Sequence, residues 1–201
     1  METSIRVLDF KKIWFMVFTL FKKIKSANYD AEVIVGITRG GYVVIRLLSD
    51  FINLKTVTTI GLDFYSGIEE TKKEPELTEE LGLEITDKRV LLVDDVADTG
   101  QSMSYAVDYL KTKEPSSIIT ATIHYKPHSN FKPDFFVEET SDWLVYPWEW
   151  MEFCRQYLKN DSEKKKSIEQ KIANLRAFSL PEIVIQQALI QLGLVEKEKK
   201  E

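Results

Sequence analysis

A short apolar strand that ends in two acidic residues places the strongest constraint on how this chain can fold. Arg89-Val90-Leu91-Leu92-Val93 is rich in aliphatic and β-branched residues, which is typical of a strand buried on both faces. Asp94-Asp95 follows it directly, and Asp98-Thr99-Gly100 predicts that a helix begins next. A buried strand that leads into a helix is a unit of a parallel sheet covered by helices.

The rest of the chain repeats this alternation of strands and helices. Helical spacing occurs at 8–26 and 42–52. Further strands are predicted at 32–37, 56–64, 117–125, 134–138 and 143–146. The pattern predicts an α/β fold with a central parallel sheet flanked by helices. Ligands of such sheets bind beyond the carboxyl ends of the strands, where the motifs at 38–41, 94–102 and 124–126 fall.

The last quarter of the chain, from residue 148, has no strand pattern. Ser179-Leu180-Pro181-Glu182 predicts a capping box at the start of a helix, and Gly193 predicts its end. The length of 201 residues allows one substantial core. We therefore expect one domain over 1–150 and a C-terminal helical extension over 151–201.

Charge, cysteine content and hydropathy narrow the class of protein. A net charge of -5 argues against broad nucleic-acid binding. The single cysteine, Cys154, fits a reducing compartment and predicts a cytoplasmic protein, with the thiol packed rather than nucleophilic. The apolar run 13–21 is too short to span a bilayer, and lysines follow it where a signal peptide needs a cleavage site. It predicts an amphipathic or buried helix, without membrane association.

The acidic strand end has the composition of a sugar-phosphate site. Adjacent carboxylates at Asp94-Asp95 are costly unless hydroxyls or a cation meet them, and a ribose diol or Mg²⁺ would do so. Amides and hydroxyls at the predicted helix start would bind a phosphate. The residues of that loop are Thr99, Gly100, Gln101 and Ser102. One alternative is that these residues only end a strand and cap a helix, without binding a ligand. The other is a receiver domain. A receiver domain has an acidic pair after its first strand, and residues 36–41 contain no such pair.

The segment from Leu91 to Gly100 resembles the phosphoribosyl-pyrophosphate signature of type I phosphoribosyltransferases. In that family the acidic pair holds the ribose 2- and 3-hydroxyls and helps to bind Mg²⁺, and the next loop wraps the 5-phosphate. The resemblance implies that Asp94 and Asp95 bind the sugar and the metal, and that Asp98 to Ser102 bind the phosphate. The third acid of the family signature sits near purine N7, which makes Asp98 the candidate general acid/base.

Two further segments resemble loops of the same family. Thr38-Arg39-Gly40-Gly41 is similar to the pyrophosphate loop, since the glycines let amides approach an anion and Arg39 can bind it through two contacts. An ordinary strand-to-helix turn is the alternative. Residues 65–80, with Tyr65-Ser66, resemble in position the flexible catalytic loop that keeps water from the ribosyl centre. The alternative there is an acidic solvent loop.

A third region resembles the base-binding half of xanthine-guanine phosphoribosyltransferases. It comprises Ile123-His124-Tyr125-Lys126-Pro127, Asp142-Trp143 and Pro147-Trp148. The resemblance implies that Lys126 donates to a purine 6-oxo group, because lysine is only a donor, and that Trp143 stacks on the ring. The alternatives are a surface lysine and a core tryptophan. The resemblance gives no role to His124 or His128.

The resemblance covers about residues 30–150 and implies a purine salvage enzyme with a sheet of about five strands and a small hood over the base. Phosphoribosyl pyrophosphate and a purine, with 6-oxopurines favoured, would give a nucleoside monophosphate and pyrophosphate. A homodimer or homotetramer is expected. The alternatives are an adenine-specific enzyme, a nucleotide-sensing regulator of the same fold that binds nucleic acid, and a transferase acting on a pyrimidine or an amine.

Overall fold

The computed structural model describes residues 4–64, 75–160 and 166–195. Its strands are β1 Ile5–Val7, β2 Val33–Thr38, β3 Val57–Phe64, β4 Pro75–Glu79, β5 Arg89–Ala97, β6 Ser117–Tyr125, β7 Phe135–Glu139 and β8 Trp143–Val145. Its helices are α1 Phe10–Ser26, α2 Gly41–Ile52, α3 Gln101–Lys111, α4 Trp150–Lys159, α5 Ile168–Ala177 and α6 Glu182–Gln191. In these described residues no helix is long and apolar enough to cross a membrane.

The chain divides into two compact units. The first unit contains the described residues of Met1–Ile13 and Asp142–Glu201, and the second contains those of Trp14–Ser141. The predicted division into a 1–150 domain and a 151–201 extension stays a prediction.

The second unit is built on a six-stranded sheet in the order β4-β3-β2-β5-β6-β7. The five strands from β3 to β7 in that order are parallel, and β4 pairs antiparallel with β3 at the edge. Gly36 lies opposite Val93, and Asp94 lies opposite Thr122. The carboxyl ends of β2, β5 and β6 therefore meet at one edge. The predicted α/β fold is confirmed.

Alternate residues of the central strands face different helices. On one face Val35 and Leu92 belong to the core cluster that contains Met103 and Leu110 of α3. On the other face a Cβ added to Gly36 would lie 2.7 Å from Cδ1 of Ile45 in α2. The glycine thus lets α2 approach the sheet closely. Burial on both faces explains the apolar runs at 33–37 in β2 and 90–93 in β5.

The apolar run near the N-terminus forms an amphipathic helix. In α1 the residues Ile13, Val17, Leu20 and Ile24 are buried, whereas Trp14 and Phe15 are exposed. The buried residues recur at helical spacing, so the amphipathic alternative holds for this segment.

The first unit has a two-stranded parallel sheet of β1 and β8 and the helices α4, α5 and α6. Indole Nε1 of Trp150 donates to the Leu8 carbonyl at 3.0 Å. The helices share a core that includes Cys154, Leu175 and Leu189. Buried Lys171 donates from Nζ to the carbonyls of Leu158 and Asn160 at the end of α4, which satisfies helix carbonyls that have no partner in the helix.

The predicted capping box at Ser179 is wrong. Ser179 has a φ of 67° and ends α5, because its amide bonds to the Arg176 carbonyl and the Leu180 amide bonds to the Leu175 carbonyl. Helix α6 begins only after Pro181 and has no side-chain cap. The capping box lies instead at the start of α5, between Ser167 and Gln170.

The predicted end of α6 is confirmed. Gly193 has a φ of 67°, and its amide bonds to the Ile190 carbonyl at 3.1 Å. The Leu194 amide bonds to the Leu189 carbonyl at 3.0 Å. This pair of bonds is the usual glycine-terminated helix end.

Part of the predicted 65–80 loop lies outside the described residues. This includes Tyr65-Ser66 and the whole of 65–74. Residues 75–79 form β4. In the segment that follows β4, Ile85 is fully buried in the core of the second unit.

Cys154 should be unreactive in the folded protein. Its side chain is 0% exposed, and burial raises the pKa of the thiol to about 11. Because the thiolate is the nucleophile, we expect a disulfide reagent at pH 8 to label the native protein at least about tenfold more slowly than the urea-unfolded chain. Equal labelling rates would contradict the packed position of this thiol.

Candidate active site

The three sequence motifs meet at the carboxyl edge of the parallel sheet in the second unit. Residues 38–41 follow β2, the acidic pair lies near the end of β5, and Lys126 follows β6. The strands β2, β5 and β6 are neighbours in the sheet. Their parallel direction therefore brings the loops that follow them together.

The loop after β2 packs directly on the acidic pair. A Cβ added to Gly40 would lie 2.6 Å from the Asp95 carboxyl carbon, and one added to Gly41 would lie 2.9 Å from the Val93 carbonyl oxygen. Thr38 donates from Oγ1 to the Ile60 carbonyl at 3.3 Å, Arg39 is exposed, and the Thr38–Arg39 peptide bond is cis. Both glycines are thus needed for close approach of backbone to the neighbouring strand.

The acidic pair lies within β5 rather than after it. The strand continues to Ala97 because Val96 and Ala97 pair with His124 and Tyr125 of β6. This corrects the prediction that the strand ends at residues 94–95. Asp95 is 6% exposed, and Asp94 accepts a bond from the Asp95 amide at 2.9 Å.

The two carboxylates at this edge are suited to a hard cation that also binds oxygens of a substrate. Carboxylate oxygens are ligands that Mg²⁺ prefers, and it is usually bound by one or two carboxylates together with substrate phosphates. Among the residues that the structure describes, no group of three or more acidic, histidine or cysteine side chains is arranged to hold a metal alone. Asp94 and Asp95 fit a shared site of this kind and no closed metal cage.

The predicted phosphate loop leads into α3. Helix α3 begins at Gln101, as predicted, and Gly100 has a φ of 85°. The Gln101 amide donates to Thr99 Oγ1 at 3.4 Å, while Ser102 is half-buried. A Cβ added to Gly100 would also lie 2.6 Å from the Phe131 nitrogen. Glycine is required here both for its φ and for this approach.

The loop after β6 is bonded to the phosphate loop. The Lys126 amide donates to the Ala97 carbonyl at 3.0 Å, and the Asn130 amide donates to the Thr99 carbonyl at 2.9 Å. The Lys126 side chain is 5% exposed. The alternative of a surface lysine is therefore wrong, and a buried lysine lies beside the acidic strand.

One contact at this edge was not predicted. Nε2 of His128 lies 2.8 Å from Oδ1 of Asp98. The resemblance gave no role to His128, but the order of the strands could have indicated that His128 lies near Asp98. Asp98 follows β5 and His128 follows the adjacent parallel strand β6, so their loops must come close.

Trp143 belongs to the first unit, in β8. Its amide donates to the Ser4 carbonyl at 2.8 Å, and its side chain is 58% exposed. The alternative of a core tryptophan is wrong. Trp148 stacks on Tyr146 with ring centroids 4.8 Å apart.

Comparisons with known proteins agree on one family. The sequence profile described as the phosphoribosyl transferase domain matches residues 7–156. The hypoxanthine-guanine phosphoribosyltransferase of Aquifex aeolicus is 31% identical over 144 residues, which cover 68% of this chain and 81% of that protein. The xanthine-guanine phosphoribosyltransferase of Cereibacter sphaeroides is 29% identical over 118 residues, covering 58% and 68%.

A solved structure extends the likeness to the fold. The purine phosphoribosyltransferase of Pyrococcus horikoshii superposes with a TM-score of 0.66 at 30% identity, covering 72% of this chain and 93% of that one. The helices α5 and α6 lie beyond the residues matched by the family profile.

Proposed function

The chain belongs to the phosphoribosyltransferase family, and we propose that it transfers the phosphoribosyl group of phosphoribosyl pyrophosphate to a purine base. The products are a nucleoside monophosphate and pyrophosphate. The observation that carries this proposal is the meeting of an acidic pair, a helix-start loop and a buried lysine at one sheet edge. Two similar proteins named as acting on 6-oxopurines favour hypoxanthine, guanine or xanthine.

Phosphoribosyl pyrophosphate has three parts, and we assign each to one motif. Asp94 and Asp95 accept hydrogen bonds from the ribose hydroxyls, because ionised carboxylates are strong acceptors. The 5-phosphate binds at the start of α3, where amides point outward. Its binding loop is formed by Asp98, Thr99, Gly100, Gln101 and Ser102, through backbone amides and the hydroxyls of Thr99 and Ser102. The pyrophosphate binds the loop after β2, formed by Thr38, Arg39, Gly40 and Gly41.

Asp94 and Asp95 are also the residues that would hold Mg²⁺, together with oxygens of the substrate. When bound there, the ion neutralises charge on the pyrophosphate and makes it a better leaving group. Arg39 and the amides of Gly40 and Gly41 supply a second source of positive charge to the same group.

The base is read by its 6-oxo group and its imidazole nitrogens. On the family resemblance, the donor to the carbonyl oxygen is Lys126 and the residue that stacks on the ring is Trp143. In the transfer, the bond from ribose C1 to pyrophosphate breaks as purine N9 bonds to C1. The purine then carries a positive charge, which is removed when the N7–H bond breaks and the proton passes to the Asp98 carboxylate. No covalent enzyme intermediate is needed.

Three properties beyond the reaction complete the proposal. A reducing, cytoplasmic setting suits a chain whose single thiol, Cys154, is buried and unpaired with another cysteine. A homodimer or homotetramer is proposed on the resemblance. For the helices α5 and α6, which lie outside the family match, we propose a role in a dimer interface.

Initial rates with each base test the proposal. Phosphoribosyl pyrophosphate and Mg²⁺ are supplied with adenine, hypoxanthine, guanine or xanthine. We expect turnover of at least one 6-oxopurine and little of adenine, because the lysine can only donate. Turnover of adenine alone would support the proposed reaction but contradict the proposed role of Lys126 as donor to a 6-oxo group. Binding of phosphoribosyl pyrophosphate without turnover of any base, together with binding of a DNA or RNA fragment, would favour a regulator instead.

A further inference from the structure

We propose that His128 is a positioning residue that holds the Asp98 carboxylate in place for proton transfer from the purine. The inference rests on the proposed purine transfer and adds a residue to which the family resemblance assigns no role. Its basis is the 2.8 Å contact between His128 Nε2 and Asp98 Oδ1.

The backbone around the two residues fixes this contact. Asp98 lies one residue after β5, and His128 lies in the loop after β6. The Lys126 amide bonds to the Ala97 carbonyl, and the Asn130 amide bonds to the Thr99 carbonyl, at 3.0 and 2.9 Å. These bonds flank the His128–Asp98 pair on both sides in sequence. Of these three contacts, the one between His128 and Asp98 is made by side chains and the other two by the backbone.

The chemistry of the pair suits a histidine that orients the Asp98 carboxylate. The terminal torsion of an aspartate side chain has a broad range, so the carboxylate of an exposed aspartate samples many orientations. An imidazole N–H that donates to one oxygen restricts that torsion and directs the second oxygen. General base catalysis needs this control, because the base must lie within hydrogen-bond reach of the proton that it takes.

The exposure of the pair argues against a role in holding the fold. The side chains of His128 and Asp98 are 61% and 56% exposed. A contact between side chains this exposed contributes little to the free energy of unfolding. The loops already have two backbone bonds between them. Removal of the imidazole should therefore change the orientation of Asp98 while leaving the loops in place.

The test compares His128→Ala and His128→Gln with the wild-type protein. We expect His128→Ala to lower kcat for a 6-oxopurine about tenfold, the effect of losing one charge-assisted hydrogen bond. The KM for phosphoribosyl pyrophosphate should change less than about twofold. His128→Gln, whose amide can still donate, should recover kcat to within about threefold of wild type. Lys132→Ala, an exposed change in the same loop, is the matched control.

A double-mutant cycle separates positioning from a structural role. If His128 acts through Asp98, then His128→Ala should cause no further loss of kcat in an Asp98→Ala background. An unchanged kcat in His128→Ala would overturn the proposal. So would full additivity in the cycle, or an equal loss in the alanine and glutamine variants with a raised KM for phosphoribosyl pyrophosphate. A wild-type protein that turns over no purine would instead refute the proposed function itself.

Discussion

Replacing Asp98 with asparagine is expected to lower kcat for a 6-oxopurine by about 100- to 10,000-fold, the usual range for loss of a general acid/base. Asparagine keeps the size of the side chain and an oxygen that can accept the bond from His128. It cannot take a proton from purine N7. The loss should therefore fall on kcat, while the KM for phosphoribosyl pyrophosphate stays close to its wild-type value.

The fold should tolerate this change because the Asp98 side chain is 56% exposed. A surface substitution of this kind usually alters the free energy of unfolding by less than about 0.5 kcal/mol. Steady-state rates and thermal unfolding of the same preparation check both statements. Asp108→Asn is the matched control, since Asp108 is an exposed acid on α3 that pairs only with Lys111 among the ion pairs of the described residues. Near-normal turnover in Asp98→Asn would remove Asp98 from the mechanism.

The sheet was predictable because its strands are buried on both faces. Such strands carry runs of apolar residues, and the runs at 33–37 in β2 and 90–93 in β5 therefore stand out in the sequence. Helix α2 follows β2, and its range Gly41–Ile52 agrees with the predicted 42–52 to within one residue. Composition and periodicity were sufficient here because burial alone determines the residue types.

Features that depend on pairing with distant residues were not predictable. The extension of β5 to Ala97 is set by pairing with His124 and Tyr125 in β6. The pairing of β1 with β8 joins residues that are more than a hundred positions apart. Ser179 offers a good capping side chain, yet it ends α5 because its backbone adopts a positive φ. Local propensity cannot choose between two such uses of one residue.

Motif positions were predictable at the site, but side-chain environments were not. Parallel topology brings the ends of β2, β5 and β6 together, so the meeting of their loops follows from the order of elements. The burial of Lys126 depends on the loop after β6 folding back on the phosphate loop, which no local pattern records. The contact between His128 and Asp98 follows from that same fold-back.

Lys126→Met is expected to change which bases the enzyme prefers. Loss of a hydrogen bond from a charged donor costs about 1.5–3 kcal/mol, so kcat/KM for hypoxanthine or guanine should fall by about 10- to 150-fold. Adenine has no 6-oxo group to receive the bond, and its slow rate should change less than about threefold. Methionine fills most of the space of the buried lysine side chain, which avoids the cavity that alanine would leave.

A matched control separates loss of this donor from a general loss of positive charge. Lys132→Met removes a lysine whose Nζ lies over the rings of Tyr125 and Phe136, at 5.8 and 5.6 Å from their centroids, and leaves Lys126 in place. Rates with all four bases should be close to wild type in this variant. If Lys126→Met lowers kcat/KM equally for every base, Lys126 supports the loop and does not distinguish the bases. A fall in kcat/KM for the 6-oxopurines alone requires a donor that contacts the 6-oxo group, because this group distinguishes them from adenine. Lys126 is the buried lysine at this sheet edge and would be that donor.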